Sequence, residues 1–169
     1  MFRRIADFEK YWASESEATL KILRTLTDAS LEQPQPLDPD GRTLARLAWH
    51  VTGTIPEMMA RTGLTVTGPE YDSDPPSSAS AIAAAYEAAA RSLLAQVRNN
   101  WNDAALDIED EMYGERWPRA YTLQALVIHQ AHHRGQMTVL MRQAGLAVPG
   151  IVGPAREEWA AIGMAPPKV

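Results

Sequence analysis

The sequence predicts an all-α fold, a four-helix bundle with long crossover connections. Apolar residues recur at spacings of three, four and seven in four long segments, and no segment has a convincing strand pattern. The connections, about 12, 17 and 19 residues long, exceed the two to eight residues of a simple up-and-down bundle. We therefore expect some connections to cross the ends of the bundle.

The first two helices are predicted over residues 2–29 and about 42–60. Residues 34–41 between them contain three prolines, an Asp-Pro and an Asp-Gly, which predicts a connection. Pro56 lies inside the second helix and removes one backbone hydrogen bond, so we expect a kink there. The apolar stripe of the first helix is Ile5, Phe8, Trp12, Thr19, Leu23 and Leu26, and that of the second is Leu44, Leu47, Ala48, Val51, Ile55, Met58 and Met59.

The third helix is predicted over roughly 78–100, after a long loop at 61–77 that is rich in proline, serine and aspartate. Ser77 or Ser78 supplies an N-terminal cap. The alanines of this helix, together with its few larger apolar residues, suit close packing against neighbouring helices.

The segment 101–119 is the least regular part of the sequence. Its asparagines and glycine argue against a helix, and residues 105–109 alternate weakly, like a short strand. The fourth helix is predicted over about 120–144 and ends at Gly145, a residue type that favours helix termination. Residues 157–162 predict one last short turn of helix.

Length and composition favour a single helical domain over residues 1–169. The absence of cysteine excludes disulfides, thiolate metal sites and a cysteine nucleophile. Sixteen Lys and Arg against 21 Asp and Glu give a net charge of −5, which disfavours nucleic acid and anionic membranes as partners. With no long apolar run and no signal-like start, a cytoplasmic location is expected.

Three of the four histidines fall within five residues, His129, His132 and His133. On a helix, residues four apart differ by about 40° in azimuth and about 6 Å in rise, so His129 and His133 share a face on which they can reach one metal ion. His132 is about 100° from His133 and is not expected to bind the same ion. By elimination, His50, at the edge of the apolar stripe of the second helix, is the third histidine ligand.

Three neutral imidazoles leave a further coordination position for water or substrate, which is typical of a catalytic metal site. Zinc and nickel both suit imidazole, and the ligand set does not choose between them. An HxxxH pair alone is weak evidence, since most such pairs are surface or capping residues, and Gln130 replaces the glutamate of an HExxH metalloprotease. The position of both histidines mid-helix, among apolar residues, favours the metal site.

The run His129-Gln130-Ala131-His132-His133-Arg134-Gly135-Gln136-Met137 resembles the signature of the DinB/YfiT-like family of metalloenzymes. Residues 44–50 (LARLAWH) and 148–154 (VPGIVGP) resemble the second-helix segment and the tail of that family. The resemblance implies a four-helix bundle of unusual connectivity, nickel or zinc at His50, His129 and His133, and commonly a homodimer.

The resemblance does not fix a reaction. Some relatives use low-molecular-weight thiols as transferases or isomerases, and others are hydrolases. In the mycothiol-dependent isomerase branch a glutamate takes the place of the first histidine of the pair, so His129 favours an all-histidine branch instead.

Four other residues near these segments are weaker candidates. Glu57 is a general base, or a solvated or capping carboxylate. Arg134 steers an anionic substrate or pairs with an acid such as Glu57 or Glu109. Gln136 is placed to bond a histidine or a metal-bound water, and His132 is exposed or at a subunit contact.

Two further groups of residues have structural interpretations. We expect a solvated loop at Asp107, Glu109, Asp110 and Glu111. We expect core, interface or pocket positions for the five tryptophans, Trp12, Trp49, Trp101, Trp117 and Trp159.

Two functions remain open at the level of sequence. The first is a metal-dependent enzyme, a hydrolase or a thiol-dependent transferase that acts on a small molecule. The second is a non-enzymatic metal-binding or dimeric interaction module. The open coordination position favours the enzyme. The non-enzymatic module stays open because no proton-transfer carboxylate is identified.

Overall fold

Four long helices make up most of the computed structural model, which describes residues 1–35 and 42–168. They are α1 (Ile5–Thr25), α2 (Leu44–Ala60), α3 (Ala79–Asn100) and α4 (Arg119–Gln143). The mostly helical fold predicted from the apolar periodicity is confirmed. Most of the predicted connection at 34–41 lies outside the described residues.

Local hydrogen bonds set the helix ends. α1 ends at Thr25 rather than at the predicted residue 29, because Thr27 caps a 3₁₀ turn, Asp28–Glu32, through reciprocal bonds with Ser30. Ser78 caps α3 by accepting a hydrogen bond from the backbone N–H of Ala81. The predicted glycine terminus of α4 is present, with Gly145 at a φ of +77°.

The helices pack around one apolar core. α1 packs mainly against α3 and α4, and α2 packs mainly against the same two helices. The predicted stripe residues face this core, and Trp12, which is fully buried, also donates a hydrogen bond from its indole N–H to the Ala90 carbonyl at 3.2 Å. Pro56 lies within α2 as expected. None of the described helices combines the length and apolarity that crossing a membrane requires.

The segment before α4 differs from the prediction. A 3₁₀ turn, Asp103–Asp107, leads into an antiparallel hairpin of β1 (Glu109–Met112) and β2 (Glu115–Pro118). The expected strand at 105–109 is therefore wrong, and the strand begins where it was predicted to end. The two loop residues, Tyr113 and Gly114, have φ values of +56° and +87°, as a type I′ hairpin turn requires.

The hairpin is joined to the helices by two contacts. Met112 is fully buried, and Asp110 forms an ion pair with Arg119 at the start of α4, with an N–O distance of 2.8 Å. The expectation of a solvated acidic loop is wrong for Asp110, because this carboxylate compensates a half-buried guanidinium. After α4, the short helical turn predicted near the end of the chain is a 3₁₀ helix, Arg156–Ile162.

Candidate metal centre

The contact between α2 and α4 brings together the three histidines that the sequence singled out. The Nε2 atom of His129 lies 3.1 Å from Nε2 of His50 and 3.1 Å from Nε2 of His133. The candidate ligand atoms of the three residues all lie within 4.8 Å of one another. His129 and His133 are one turn apart on α4, and His50 reaches them from the facing side of α2. That they hold a metal stays a prediction.

Gln136 fixes the orientation of one imidazole. Its Oε1 lies 2.7 Å from Nδ1 of His133, and because a carbonyl oxygen only accepts, Nδ1 carries the proton. The lone pair of the His133 Nε2 then points toward the other two rings. The amide nitrogen of Gln136 donates to Nε2 of the exposed His132 at 3.1 Å. Gln136 thus bonds two histidines, and the Nε2 of His132 is directed away from the three-histidine group.

The three rings are neutral near pH 7. Burial, reinforced by the neighbouring His133, lowers the pKa of His50 to about 4 and that of His129 to about 3. Burial also lowers the pKa of His133, against the opposing effect of its bond to Gln136. Each ring therefore offers a lone pair without first losing a proton, which is the state that metal binding requires.

The arrangement fits a divalent ion. Two nitrogen ligands of a tetrahedral zinc are about 3.3 Å apart, given Zn–N distances of about 2.0–2.1 Å. The separations of His129 from His50 and from His133 are both 3.1 Å, and all three ligand atoms lie within 4.8 Å of one another. The Nδ1 atom of His129 is buried and has no hydrogen-bond partner among the described residues. Three imidazoles suit zinc and nickel equally.

A cavity of about 270 Å³ lies against two of these histidines. It opens between α2, α4 and the hairpin, and it gives a small molecule access to His50 and His129. The other lining residues are Thr54, Glu57, Met58, Tyr71, Tyr113, Trp117 and Ala125. Trp117 is thus the tryptophan that lines this cavity.

Glu57 is a cavity carboxylate whose two oxygens are both bound. Its Oε1 accepts from Nε of Arg61 at 2.8 Å, and its Oε2 accepts from the hydroxyl of Tyr113 at 2.6 Å. The Glu57 side chain is 12% exposed, so the expectation of a solvated carboxylate is wrong. Burial and the bond to Glu57 raise the pKa of Tyr113 above its usual value. The sequence offered no signal for Tyr113, because its contact with Glu57 spans 56 residues.

Arg134 does not line the cavity. It is buried, and its guanidinium forms an ion pair with Glu15 of α1 and donates to the Thr19 hydroxyl at 3.0 Å. The expected partners, Glu57 and Glu109, are wrong because both lie beside other arginines. Arg134 therefore joins α1 to α4.

Gln130 is also part of the interior. It donates to the Val51 carbonyl at 3.0 Å and accepts from the Tyr86 hydroxyl at 3.1 Å, which links α4 to α2 and α3. Gln130, which occupies the position of the glutamate in an HExxH motif, therefore helps to position the helix that carries His129 and His133. It is not among the residues that line the cavity.

Known proteins resemble this chain over most of its length. The chain is 43% identical over 169 residues to the uncharacterized protein YrdA of Bacillus subtilis (strain 168), covering 100% of both chains. It matches the crystal structure of a DinB-like protein from Bacillus cereus with a TM-score of 0.84 and 41% identity, over 89% of this chain and 99% of that one. A DinB-like protein of Bacillus subtilis, YjoA, shares the fold, with a TM-score of 0.62 and 16% identity over 84% of this chain and 94% of its own. The family model of the DinB family matches residues 1–168, and the chain therefore belongs to the DinB family.

Proposed function

We propose that this protein is a metal-dependent enzyme, a hydrolase or a low-molecular-weight-thiol transferase, in which His50, His129 and His133 hold Zn²⁺ or Ni²⁺. The observation that carries the proposal is the convergence of three neutral imidazoles beside a cavity of substrate size. Protein ligands at only three positions leave room for a water or a substrate atom. The substrate is a small molecule, since the cavity holds about 270 Å³.

The fold that holds this site is, we infer, a four-helix bundle with crossover connections. The first connection joins α1 to α2 and the third joins α3 to α4, and neither pair consists of main packing neighbours. Long connections, including the one that carries the hairpin, are therefore free to run across the ends of the helices. This topology puts α2 and α4 face to face and the hairpin beside them.

A bound divalent ion would supply a Lewis acid that polarises a substrate oxygen or lowers the pKa of a water or thiol. The residues of the chain contribute orientation and desolvation. Gln136 holds His133 in the tautomer that presents Nε2, and the aromatic residues of the hairpin shield the histidines from bulk water. Glu57 and Tyr113 offer hydrogen-bond acceptors at the cavity wall.

The decisive experiment measures metal content by ICP mass spectrometry on protein purified without chelators, followed by melting curves with and without EDTA at pH 7.5. A ligand that binds only the folded state stabilises it by about 2.7 kcal/mol at a hundredfold excess over Kd, so EDTA should lower Tm and added Zn²⁺ or Ni²⁺ should restore it. A Tm that neither treatment moves would contradict the proposal. Panels of hydrolase and thiol-conjugation substrates, run with and without EDTA, then separate the two reaction classes.

A second candidate is a non-enzymatic metal-binding module that acts as a homodimer. One observation favours it: the only carboxylate that lines the cavity among the described residues, Glu57, is bound by both Arg61 and Tyr113 and so is not a free proton acceptor. Metal binding without EDTA-sensitive turnover of any panel substrate would support this candidate.

A further inference from the structure

The cavity beside the histidines has two chemically different ends. His50 lies at one end and Glu57 at the other, seven residues apart on α2, or about 10 Å along the helix axis. The histidine end presents nitrogen lone pairs for an ion, whereas the Glu57 end presents oxygens and aromatic rings. A ligand that fills the cavity therefore meets both environments.

Two residues at the Glu57 end, Glu57 and Tyr113, offer only acceptors to a ligand. The Tyr113 hydroxyl gives its proton to Oε2 of Glu57 at 2.6 Å, and the raised pKa of Tyr113 keeps that proton in place. The phenol oxygen can then offer lone pairs alone, and the carboxylate likewise. Arg61, the cation nearest this end, is already engaged, since it donates to Oε1 of Glu57 and lies 4.4 Å from the centre of the Tyr113 ring. A ligand group seated here must bring its own N–H or O–H donors.

Aromatic rings and acidic side chains favour a positively charged donor over a neutral one. The rings of Tyr71, Tyr113 and Trp117 line the cavity, and ring faces attract cations. A small adjoining cleft, which shares His50 and Tyr71 with the cavity, is lined by Glu70 and Asp72. The charges of Asp72 and Arg42 act at His50 in opposite directions. Neither Glu70 nor Asp72 has an ion-pair partner within residues 1–35 and 42–168, whereas Arg46, which also lines the cleft, is paired with Asp74.

We propose that the cavity binds a small molecule with two groups, a head that ligates the ion at the three histidines and a protonated amine that lies against Glu57, Tyr113 and Trp117. The head-group half of this inference depends on the metal site proposed above, and the amine half does not. Thiolate heads suit zinc and nickel, so aminothiols are the simplest probes of the class.

The test compares 4-aminobutane-1-thiol and 6-aminohexane-1-thiol with the hydroxythiols of the same lengths. Binding to the zinc-loaded full chain is measured by titration calorimetry, with zinc content determined in the same samples. We expect the amine to bind at least about tenfold more tightly than the alcohol at one of these lengths. Equal affinities at both lengths, or no binding of any thiol to zinc-loaded protein, would overturn the inference and leave the metal proposal standing.

Two variants locate the amine. Glu57→Gln removes the charge and keeps one acceptor oxygen, for either Tyr113 or Arg61, so the preference for amines should fall to near one. Tyr113→Phe keeps the ring and removes one acceptor, and it should give a partial loss. Glu111→Gln, the same neutralisation of a carboxylate on the exposed side of the hairpin, is the matched control and should retain the full preference. An undiminished preference in both cavity variants would contradict the placement.

A metal-free arm separates the two proposals. Butylammonium, which has no metal-binding head, is titrated into EDTA-treated protein and into EDTA-treated Glu57→Gln. Weak binding that the variant abolishes supports the amine site even if the protein binds no metal. If zinc content shows that no metal binds and butylammonium does not bind either, both proposals fail.

Discussion

His132 and His133 are sequence neighbours with different hydrogen-bond partners. His133 shares the three-histidine group and donates from Nδ1 to Gln136, whereas the Nε2 of His132 accepts from the amide of the same glutamine. The helical phase that separates them by about 100° thus determines which one can reach the ion. At this scale the site is tested one imidazole at a time.

His133→Ala and His50→Ala should each abolish stoichiometric metal content, because each removes one of three ligands. His132→Ala is the matched control and should keep metal content near that of the wild type. Gln136→Ala should weaken affinity about 10- to 100-fold, since it frees the His133 ring to rotate. Metal is measured by ICP mass spectrometry after dialysis. Equal losses in His132→Ala and His133→Ala would show that the assignment of ligands on α4 is wrong.

Histidine burial also predicts how the stability of the metal-free protein depends on pH. The pKa values of His50 and His129 are about 4 and about 3 in the folded chain, against 6.5 for the ordinary residue. Between these values the unfolded chain binds more protons than the folded one, so stability is lost as pH falls below 6.5. Urea unfolding should therefore give a lower midpoint at pH 5.0 than at pH 7.5.

The contribution of a single ring to this dependence can be isolated. His129→Asn removes one group whose pKa is lowered, and the difference in midpoint between pH 5.0 and pH 7.5 should shrink. A variant with the pH dependence of the wild type would contradict a buried, neutral His129. Measurements above pH 5 limit the contribution of carboxylates, whose ordinary pKa values are near 4.

The helices and the hairpin differ in how far the sequence predicts them. α2 and α4 follow from local patterns, because apolar spacing, a capping threonine and a terminal glycine all act within one helix. β1 has only one apolar residue, Met112, among three acidic ones, and its pairing depends on contacts with distant residues. The sequence therefore predicts α2 and α4, which carry the three histidines, but it does not predict the hairpin that forms one wall of the cavity.

The same distinction applies to the candidate site. The three histidines could be grouped because only four exist and two of them are i, i+4 neighbours on one helix. The sequence offers Glu57 as a candidate general base, but its bond to Tyr113 joins α2 to the hairpin turn and has no local signature. The buried partner of Arg134, Glu15, lies 119 residues away and could not be chosen from sequence among the many acids available.

Two glycines, Gly53 inside α2 and Gly68 in the segment after it, give an element-scale test of packing. A Cβ added at Gly68 would lie 2.7 Å from Cγ of Pro56, the proline inside α2, whereas one added at Gly53 would meet its nearest neighbour at 3.8 Å. Gly68→Ala should lower the free energy of unfolding by about 1–3 kcal/mol through overpacking. Gly53→Ala, in a helix interior, should raise it by about 0.5–1 kcal/mol. Urea unfolding measures both, and a Gly68→Ala variant at least as stable as the wild type would contradict the close approach of Gly68 to α2.

At the scale of the whole molecule, the outer face of α4 is unusual. From residue 120 to 141 its exposed side chains carry no acidic or basic group other than a histidine, since Arg134 is buried. Ile128 and Val139, 56% and 53% exposed, lie on this face with His132 and Gly135 at spacings of three, four and seven. A solvent-facing helix surface normally carries charges, so an apolar, uncharged stripe suits a contact with another chain. The homodimer that the family resemblance implies stays a prediction, and this stripe is where we expect its interface.

Val139→Glu should therefore convert the protein from dimer to monomer. In a two-fold interface a single substitution introduces two carboxylates, one from each subunit, into the same apolar contact, where their burial is strongly unfavourable. Light scattering coupled to size-exclusion chromatography at micromolar concentration gives the mass of each variant. Val152→Glu is the matched control, because Val152 is 94% exposed on the tail after α4 and is not part of this stripe, and the change should leave the dimer intact. A wild-type protein that elutes as a monomer, or a Val139→Glu variant that remains a dimer, would show that the α4 face has another role.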